Sequence, residues 1–356
     1  MTTKNGTIDF KKLTNFTIRA LQKMGVPDDA AQITADMLVL TDLRGVDSHG
    51  VARLASLYIK GLQEGRINPT PNPVISSQAP ATAVMDGDRG LGFVIGHQAM
   101  KEAIRMADTA GAGFVSIRNS THFGACAGYV MMALEHDMIG LSMTDAPLAV
   151  APPGSNKPGI GTNPLAVAVP ASNKPPFILD MATSVVAAGK LEIARREGHP
   201  LPEGWAMDMD GNPITDPEKR VRGEGGLLPL GGTPVLRSYK GFGLAAVVEI
   251  LCGVLSGMPA TILKVSPELK GTSGHFFGAF KIASFSPLEA FKKSMDEMIE
   301  AIQNLPTLPG VEKIYMAGDY EAEIEKDRRV NGIPLHPAVV SSLKEMAEEV
   351  GIEYDL

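Results

Sequence analysis

The sequence predicts a mixed α/β protein whose sheet-bearing middle is flanked by helical segments at both chain ends. Two observations lead there. Apolar residues recur at helical spacing over residues 10–65 and again beyond residue 287. Between those stretches, short apolar runs alternate with Gly and Pro, as in a large sheet with helices laid on it. The 356 residues, 44% hydrophobic and 21% charged, suffice for one large domain or two ordinary ones with a sizeable core.

Phe10, Leu13, Ala20, Leu21 and Met24 predict a first helix that Gly25 stops. Pro27-Asp28-Asp29 opens a second, carrying Ile33, Met37, Leu38 and Leu40. A turn over 44–47 leads to Ser48, read as the cap of a third helix reaching Gly65. Pro69, Pro71 and Pro73 mark a domain boundary. Strands are expected over 81–85, 113–117, 139–143, 165–169, 177–179 and 271–280, and helices over 96–110, 124–135 and 241–255. Helices return over 287–303, 319–329 and 337–350, the last with Pro337 in its first turn. The division is therefore 1–74 helical, 75–286 mixed α/β, and 287–356 helical again, the two ends forming one unit.

The formal net charge of -7 argues against nucleic acid or an anionic membrane as partner. Cys126 and Cys252 give neither a disulfide framework nor zinc spacing and suit a reducing cytoplasm. No apolar core follows residues 1–7, so no secretory leader is expected. The apolar run over 241–255 is interrupted by Glu249 and reads as too short to span a bilayer.

The chemistry concentrates in a few polar segments. In Ser48-His49-Gly50-Val51-Ala52-Arg53, a Ser48 cap would make His49 the first helical residue, with Arg53 on the same face. A neutral imidazole at a helix N-terminus can take a hydroxyl proton, and a guanidinium can grip a carboxylate. Spacing alone favours the plainer reading, a capped helix with two surface side chains. Thr121-His122-Phe123-Gly124 follows a strand and leads into small residues, which suits a phosphate but equally a structural His. Gly90-Leu91-Gly92 with Gly96 is one residue too long for the usual dinucleotide turn, and no acid ends the next strand, so it reads as a tight turn. Gly161-Thr162-Asn163-Pro164 is a polar turn before a strand. Asp180-Met181-Ala182-Thr183-Ser184 ends a strand and opens a small-residue helix that reaches Lys190; Lys240 opens the apolar helix. Asp208-Met209-Asp210-Gly211-Asn212 is a turn rather than a calcium loop, and no metal site is expected.

Taken in order, Ser48-His49-Gly50 with Arg53, Thr121-His122-Phe123-Gly124, Gly161-Thr162-Asn163-Pro164, Asp180-Met181-Ala182-Thr183-Ser184 and Lys240-Gly241-Phe242-Gly243 resemble the type-2 malate/L-lactate dehydrogenase family, over residues 8–325. That family also holds ureidoglycolate and sulfolactate dehydrogenases and cyclic imino-acid reductases. The resemblance implies a non-Rossmann mixed-sheet domain binding NAD or NADP, a homodimer, and a small 2-hydroxy acid with its 2-oxo acid as the substrate pair. It implies that His49, supported by Ser48, exchanges the proton, and that Arg53 and Thr162 hold the carboxylate. His122, Phe123, Gly124, Ala125, Cys126, Asp180, Met181, Ala182 and Lys240 would line the cofactor. Gly318 and Asp319, in a looser match, would join them. His122 is the acid/base in some accounts of the family; the Ser and Arg neighbours favour His49. The imino-acid reductases carry an Asp where this chain has Lys190, which favours hydroxy acids. NAD is the preferred cofactor, with NADP as the alternative. The rival readings are an NADPH-dependent cyclic imino-acid reductase and a non-catalytic binder of nucleotide or small anion.

Overall fold

The computed structural model describes residues 6–221 and 223–356. Residues 1–5, which carry most of the expectation of no leader, lie outside the described residues. A short strand β1 (Thr7–Ile8) leads into α1 (Phe10–Lys23), whose start is fixed by Asp9 accepting the N–H groups of Lys11 and Lys12. Leu13, Phe16, Ala20 and Leu21 on its inner face are fully buried, and Gly25 ends it with φ +82°. α2 (Asp28–Leu43) begins with two acids, which complement the helix dipole. The third helix departs from expectation. It starts at Val51, as a 3-10 turn over Val51–Arg53, a π-helical stretch over Leu54–Ile59 and a last α turn, α3 (Lys60–Gln63).

Then comes β2 (Val74–Ala79), which the prolines and serines around it conceal in the sequence. β3 (Thr82–Asp86), α4 (Gly92–Ala110), β4 (Ala112–Ser120), α5 (Ala127–Leu134), β5 (Met138–Thr144), β6 (Leu165–Val169) and β7 (Phe177–Met181) follow. α6 (Ala188–Glu197) starts later than the sequence suggested, because residues 182–187 form an irregular connection in which Ser184 bridges to Pro229 and the Val185 N–H donates to the Leu228 carbonyl. A small excursion holds β8 (Ala206–Met207), α7 (Pro217–Val221) and β9 (Gly226–Leu227). The chain returns through α8 (Tyr239–Cys252), β10 (Ser273–Lys281), α9 (Leu288–Gln303), α10 (Asp319–Asn331), β11 (Ile333–Pro334) and α11 (Pro337–Val350).

The main sheet has seven strands in the order β2-β3-β4-β10-β5-β6-β7. Only β3 and β4 pair in parallel, joined by the α4 crossover; every other neighbouring pair is antiparallel. This is not the parallel sheet of a Rossmann domain. The turn at 90–92 is closed as well. The Gly92 N–H donates to Thr121 Oγ1 at 3.1 Å, and a Cβ on Gly92 would overlap the Thr121 carbonyl. Chain, not a phosphate, sits at the start of α4.

α4 and α5 cover one face of the sheet with Ile95, Ala99, Met100, Tyr129 and Val130. α8 covers the other, where Val248 and Cys252 meet Met143 and Phe276. By length and composition Tyr239–Ser256, 18 residues of mean hydropathy 1.5, could cross a membrane, so the length argument against a span does not hold. In the fold its inner side lies on the sheet, with Val248 and Cys252 fully buried. The first two helices share a core with Val339, Leu343 and Met346 of α11 and with Phe93 of α4. α9 instead lies against the sheet side: Lys292 pairs with Asp137, and Asp296 accepts the N–H groups of Ser172, Asn173 and Lys174. The Asp208 carboxylate closes its own turn through the N–H groups of Asp210 and Asn212. Among the described residues no cluster of three metal-ligating side chains occurs.

Candidate active site

The loop between α2 and Val51 is shaped by a carboxyl that sequence reasoning passed over. Asp42, 1% exposed, accepts the Val51 N–H at 2.8 Å and so caps the helix that Ser48 was expected to cap. Burial pushes its pKa up to about 8, against the pull of that N–H. Gly50 lies against it so closely that a Cβ would fall inside the carboxyl group. Arg328 of α10 closes the loop from outside, bonding to the Asp42 carbonyl and to Asp47.

Freed from capping, the Ser48 hydroxyl lies 2.8 Å from His49 Nδ1. His49 therefore precedes the helix rather than opening it. Arg53 still reaches back, its Nε donating to the Ser48 carbonyl at 3.0 Å. Burial, then the nearby Arg53 charge, lowers the His49 pKa to about 4, so the imidazole is neutral at physiological pH.

A second imidazole, His122, lies parallel to the first, ring centroids 5.9 Å apart and planes 15° from parallel. Its Nδ1 receives the Gly124 N–H at 3.3 Å and faces the Tyr58 hydroxyl at 2.7 Å. A backbone N–H can only donate, so Nδ1 is the acceptor, Tyr58 donates to it, and the ring proton sits on Nε2. Burial, then His49 and Arg53, lowers the His122 pKa to about 3. Tyr58 is fully buried, in the π-helical stretch. Nothing in the sequence pointed to it, since its reach depends on that irregular turn. Phe123 lies beneath, 1% exposed and stacked on His275 at 4.4 Å.

Of these residues, Ser48 and His49 line a cleft of about 950 Å³, open solvent at its mouth included. Ser48 and His49, Gly124 through Cys126, Thr162, and Asp180 through Ala182 all line it, so four separate motifs meet at one place. Each is positioned for a reason. The turn at 161–164 is held by Asn163, buried with φ +34°, which accepts the Ala146 N–H and donates to the Ala245 carbonyl and to Glu249, each at 3.0 Å. The acid that interrupts the apolar α8 thus anchors the turn carrying Thr162. Asp180 ends β7 and accepts the Ala127 N–H at 2.8 Å, satisfying the first turn of α5 while facing the cleft. Gly189 of α6 rests on the loop: a Cβ there would stand 2.7 Å from Ser48 Cβ and 3.2 Å from Arg53 Nη2. Lys190, next in the chain, lines the cleft, as do Arg44 and Glu321, which were not anticipated.

Other expected residues are placed elsewhere. Arg53 adjoins the cleft through Ser48, while His122 and Phe123 lie behind its lining. Lys240 is exposed in the first turn of α8. Gly318, at φ +95°, presses on Ile178, which itself lines the cleft. Asp319 accepts the Met316 N–H and the Gln303 amide, each at 2.8 Å, and borders a separate cavity with Lys313 and Tyr315.

A neutral imidazole beside a guanidinium, at an open cleft, equips a protein for proton exchange with a hydroxylated anion. Known proteins agree: residues 8–344 match the malate/L-lactate dehydrogenase family. The chain belongs to that family, and it is a 2-hydroxy-acid dehydrogenase. It is 44% identical to malate dehydrogenase of Pyrococcus horikoshii, over 96% of this chain and 95% of the relative. It is 41% identical to L-sulfolactate dehydrogenase of Methanocaldococcus jannaschii, over 95% of each. The crystal structure of malate dehydrogenase from Entamoeba histolytica superimposes with a TM-score of 0.94 at 35% identity, covering 98% of this chain and 99% of that one. The mixed, non-Rossmann sheet read from the resemblance is therefore borne out.

Proposed function

We propose that this chain interconverts a small 2-hydroxy acid of the malate type and its 2-oxo acid, with His49 exchanging the hydroxyl proton. The carrying observation is the His49 imidazole, held neutral between Ser48 and Arg53 at the cleft. Arg53 and Thr162 take the substrate carboxylate and hold C2 in place. Ser48 fixes the ring of His49 through Nδ1, and His122 stacks beside it. When bound, the nicotinamide cofactor supplies or accepts the hydride. The cleft fits it: Gly124, Ala125 and Ala182 leave room, and Cys126 and Met181 complete the wall. Asp180 offers an acceptor for ribose hydroxyls, while Phe123 supports the wall from below. For Lys240, Gly318 and Asp319 a cofactor role rests on the family likeness. NAD is the proposed cofactor, with NADP as the alternative; the lining is of mixed charge, Asp180 and Glu321 standing in it together with Arg44 and Lys190.

The cyclic imino-acid reductase reading is weaker, because Lys190 replaces the acid it calls for. The test is NADH and NADPH oxidation with oxaloacetate, pyruvate and a cyclic imine. Turnover of an oxo acid supports the proposal. Turnover of the imine alone, or cofactor binding with no turnover, refutes it.

His49 also sets a pH dependence. Oxidation needs the neutral imidazole, which a pKa of about 4 preserves down to acid pH. The acid limb of kcat/KM for the hydroxy acid is expected near pH 4; a limb at the ordinary histidine value near 6.5 would contradict the assignment.

The active form is proposed to be a homodimer. Leu244, Val247 and Ile250 on the outer face of α8 are exposed, as are Leu255, Ile262 and Val265 beside them. A monomer rarely leaves such a patch bare, and a second copy would cover it. Light scattering is expected to give twice 37.7 kDa, and Ile250→Lys to shift the protein toward monomer. A wild-type monomer would overturn this. The shared core of α1, α2 and α11 supports one helical unit drawn from the two chain ends, proposed as 1–74 with 287–356 beside the mixed 75–286 unit; α9 departs from that division by lying against the sheet side. Two buried free thiols support a soluble protein of a reducing compartment such as the cytoplasm.

A further inference from the structure

We propose that α10 is a positioning clamp for the acid/base, with Arg328 its principal residue: one face of the helix fixes the loop over 42–49 and so holds the His49 ring at the cleft. The inference rests on the reading of His49 as the proton-exchanging group and adds the residues that place it.

α10 buries no residue of its own. Glu321, Ile324, Glu325 and Arg328 are half-buried at i, i+3, i+4, i+7 spacing, so they share one face. That face meets the loop between α2 and Val51 position by position. Glu325 accepts Arg44 at 3.1 Å, the two side chains 17% and 6% exposed. Ile324 fills the space beside Gly45, where a Cβ would stand 2.9 Å from Ile324 Cδ1 and the backbone holds φ +77°. Arg328 ties the two ends of the loop together. It donates to the Asp42 carbonyl in the last turn of α2, where a cation also complements the helix dipole. The same guanidinium forks onto Asp47, with Nη2 3.3 Å from Oδ2. His49 follows two residues later, its N–H donating to the Val46 carbonyl at 3.0 Å. Glu321, at the near end of the stripe, lines the cleft itself. A helix with no buried side chain adds little to the fold through apolar burial. Its inward contacts are directed at one catalytic loop instead.

The clamp has a consequence for the ring. Burial, with the Arg53 charge adding to it, lowers the His49 pKa to about 4. The other ionisable groups around it are His122, stacked on the ring, and Arg44, Asp180, Lys190 and Glu321, which line the same cleft. A loosened loop admits water to the imidazole, relieves the burial penalty and moves its pKa up toward the ordinary histidine value.

The test uses the full-length protein as wild type, Arg328→Met, Arg328→Lys and Asp47→Ala. It measures malate oxidation with NAD against pH, NADH affinity by fluorescence, and hydrogen exchange of the backbone amides over 44–51. Arg328→Met is expected to lose about 10- to 100-fold in kcat at pH 8, with NADH affinity within about 3-fold of wild type. Its acid limb is expected to move up from near pH 4 toward 6.5, and exchange over 44–51 to quicken about tenfold or more while α1 and the sheet stay protected. Arg328→Lys keeps the charge without the fork and is expected to recover part of the rate. Asp47→Ala, which leaves the bond to the Asp42 carbonyl, is expected to shift every readout the same way by less. It carries the test if Arg328→Met does not fold. An unmoved acid limb and unchanged loop exchange overturn the clamp, as does a loss of turnover matched by an equal loss of NADH affinity. Full turnover by His49→Ala in the same series would instead remove the proton assignment, while loop exchange in Arg328→Met still decides whether α10 holds the loop.

Discussion

Replacing His49 with alanine is expected to lower kcat/KM for 2-hydroxy-acid oxidation about 10²- to 10⁴-fold, the range for loss of a positioned acid/base, while cofactor affinity is unchanged. The hydroxyl proton must leave as the hydride does, and His49 is the neutral imidazole that lines the cleft. The group is prepared for this on both sides. Ser48 meets Nδ1 and limits the ring's rotation, and burial, with Arg53 beside it adding to the effect, keeps the ring uncharged. A carboxylate placed by Arg53 cancels that positive charge, which raises the affinity of the ring for the incoming proton. The loss is therefore expected in kcat as well as in KM, because the contact strengthens as the proton moves. Cofactor binding, measured by fluorescence titration, serves as the control.

Gly50→Ala is expected to cost about 2–4 kcal/mol of stability and most of the activity, combining overpacking with a lost helix cap. The added Cβ would fall within the Asp42 carboxyl. Asp42 has nowhere to go: it is buried and committed to the Val51 N–H, while Arg328 grips its backbone carbonyl. The loop must then shift, and His49, the preceding residue, shifts with it. Urea unfolding reads the stability loss. Combining Gly50→Ala with Asp42→Gly removes the collision, so the double variant is expected to be more stable than the two single losses add up to. Strict additivity would mean that the two positions do not meet.

The sequence carried the identities of this site better than its geometry. Periodic apolar spacing placed α1, α2, β6 and α11 close to their observed bounds, because those elements bury one regular face. Ser48 was read as a cap because serine is a good local cap, yet a carboxyl from the preceding helix took that role. Such a choice is tertiary and leaves no mark in the six residues around it. Tyr58 was invisible for a related reason, since a π-helical stretch points it at His122. Glu249 looked like an interruption of an apolar helix; it receives the Asn163 amide and so fixes the Thr162 turn from the far side of the sheet. Asp319 matched a family pattern by type, but its carboxylate is occupied by Met316 and Gln303 away from the cleft.

The most direct measurement is NADH oxidation with oxaloacetate by wild type, His49→Ala and His122→Ala under identical conditions, with NADH affinity determined for each. Turnover by wild type, near-complete loss in His49→Ala and a smaller loss in His122→Ala, all with NADH still bound, is the predicted result. Substantial turnover by His49→Ala alongside an inactive His122→Ala would contradict the account and move the proton exchange to the second imidazole.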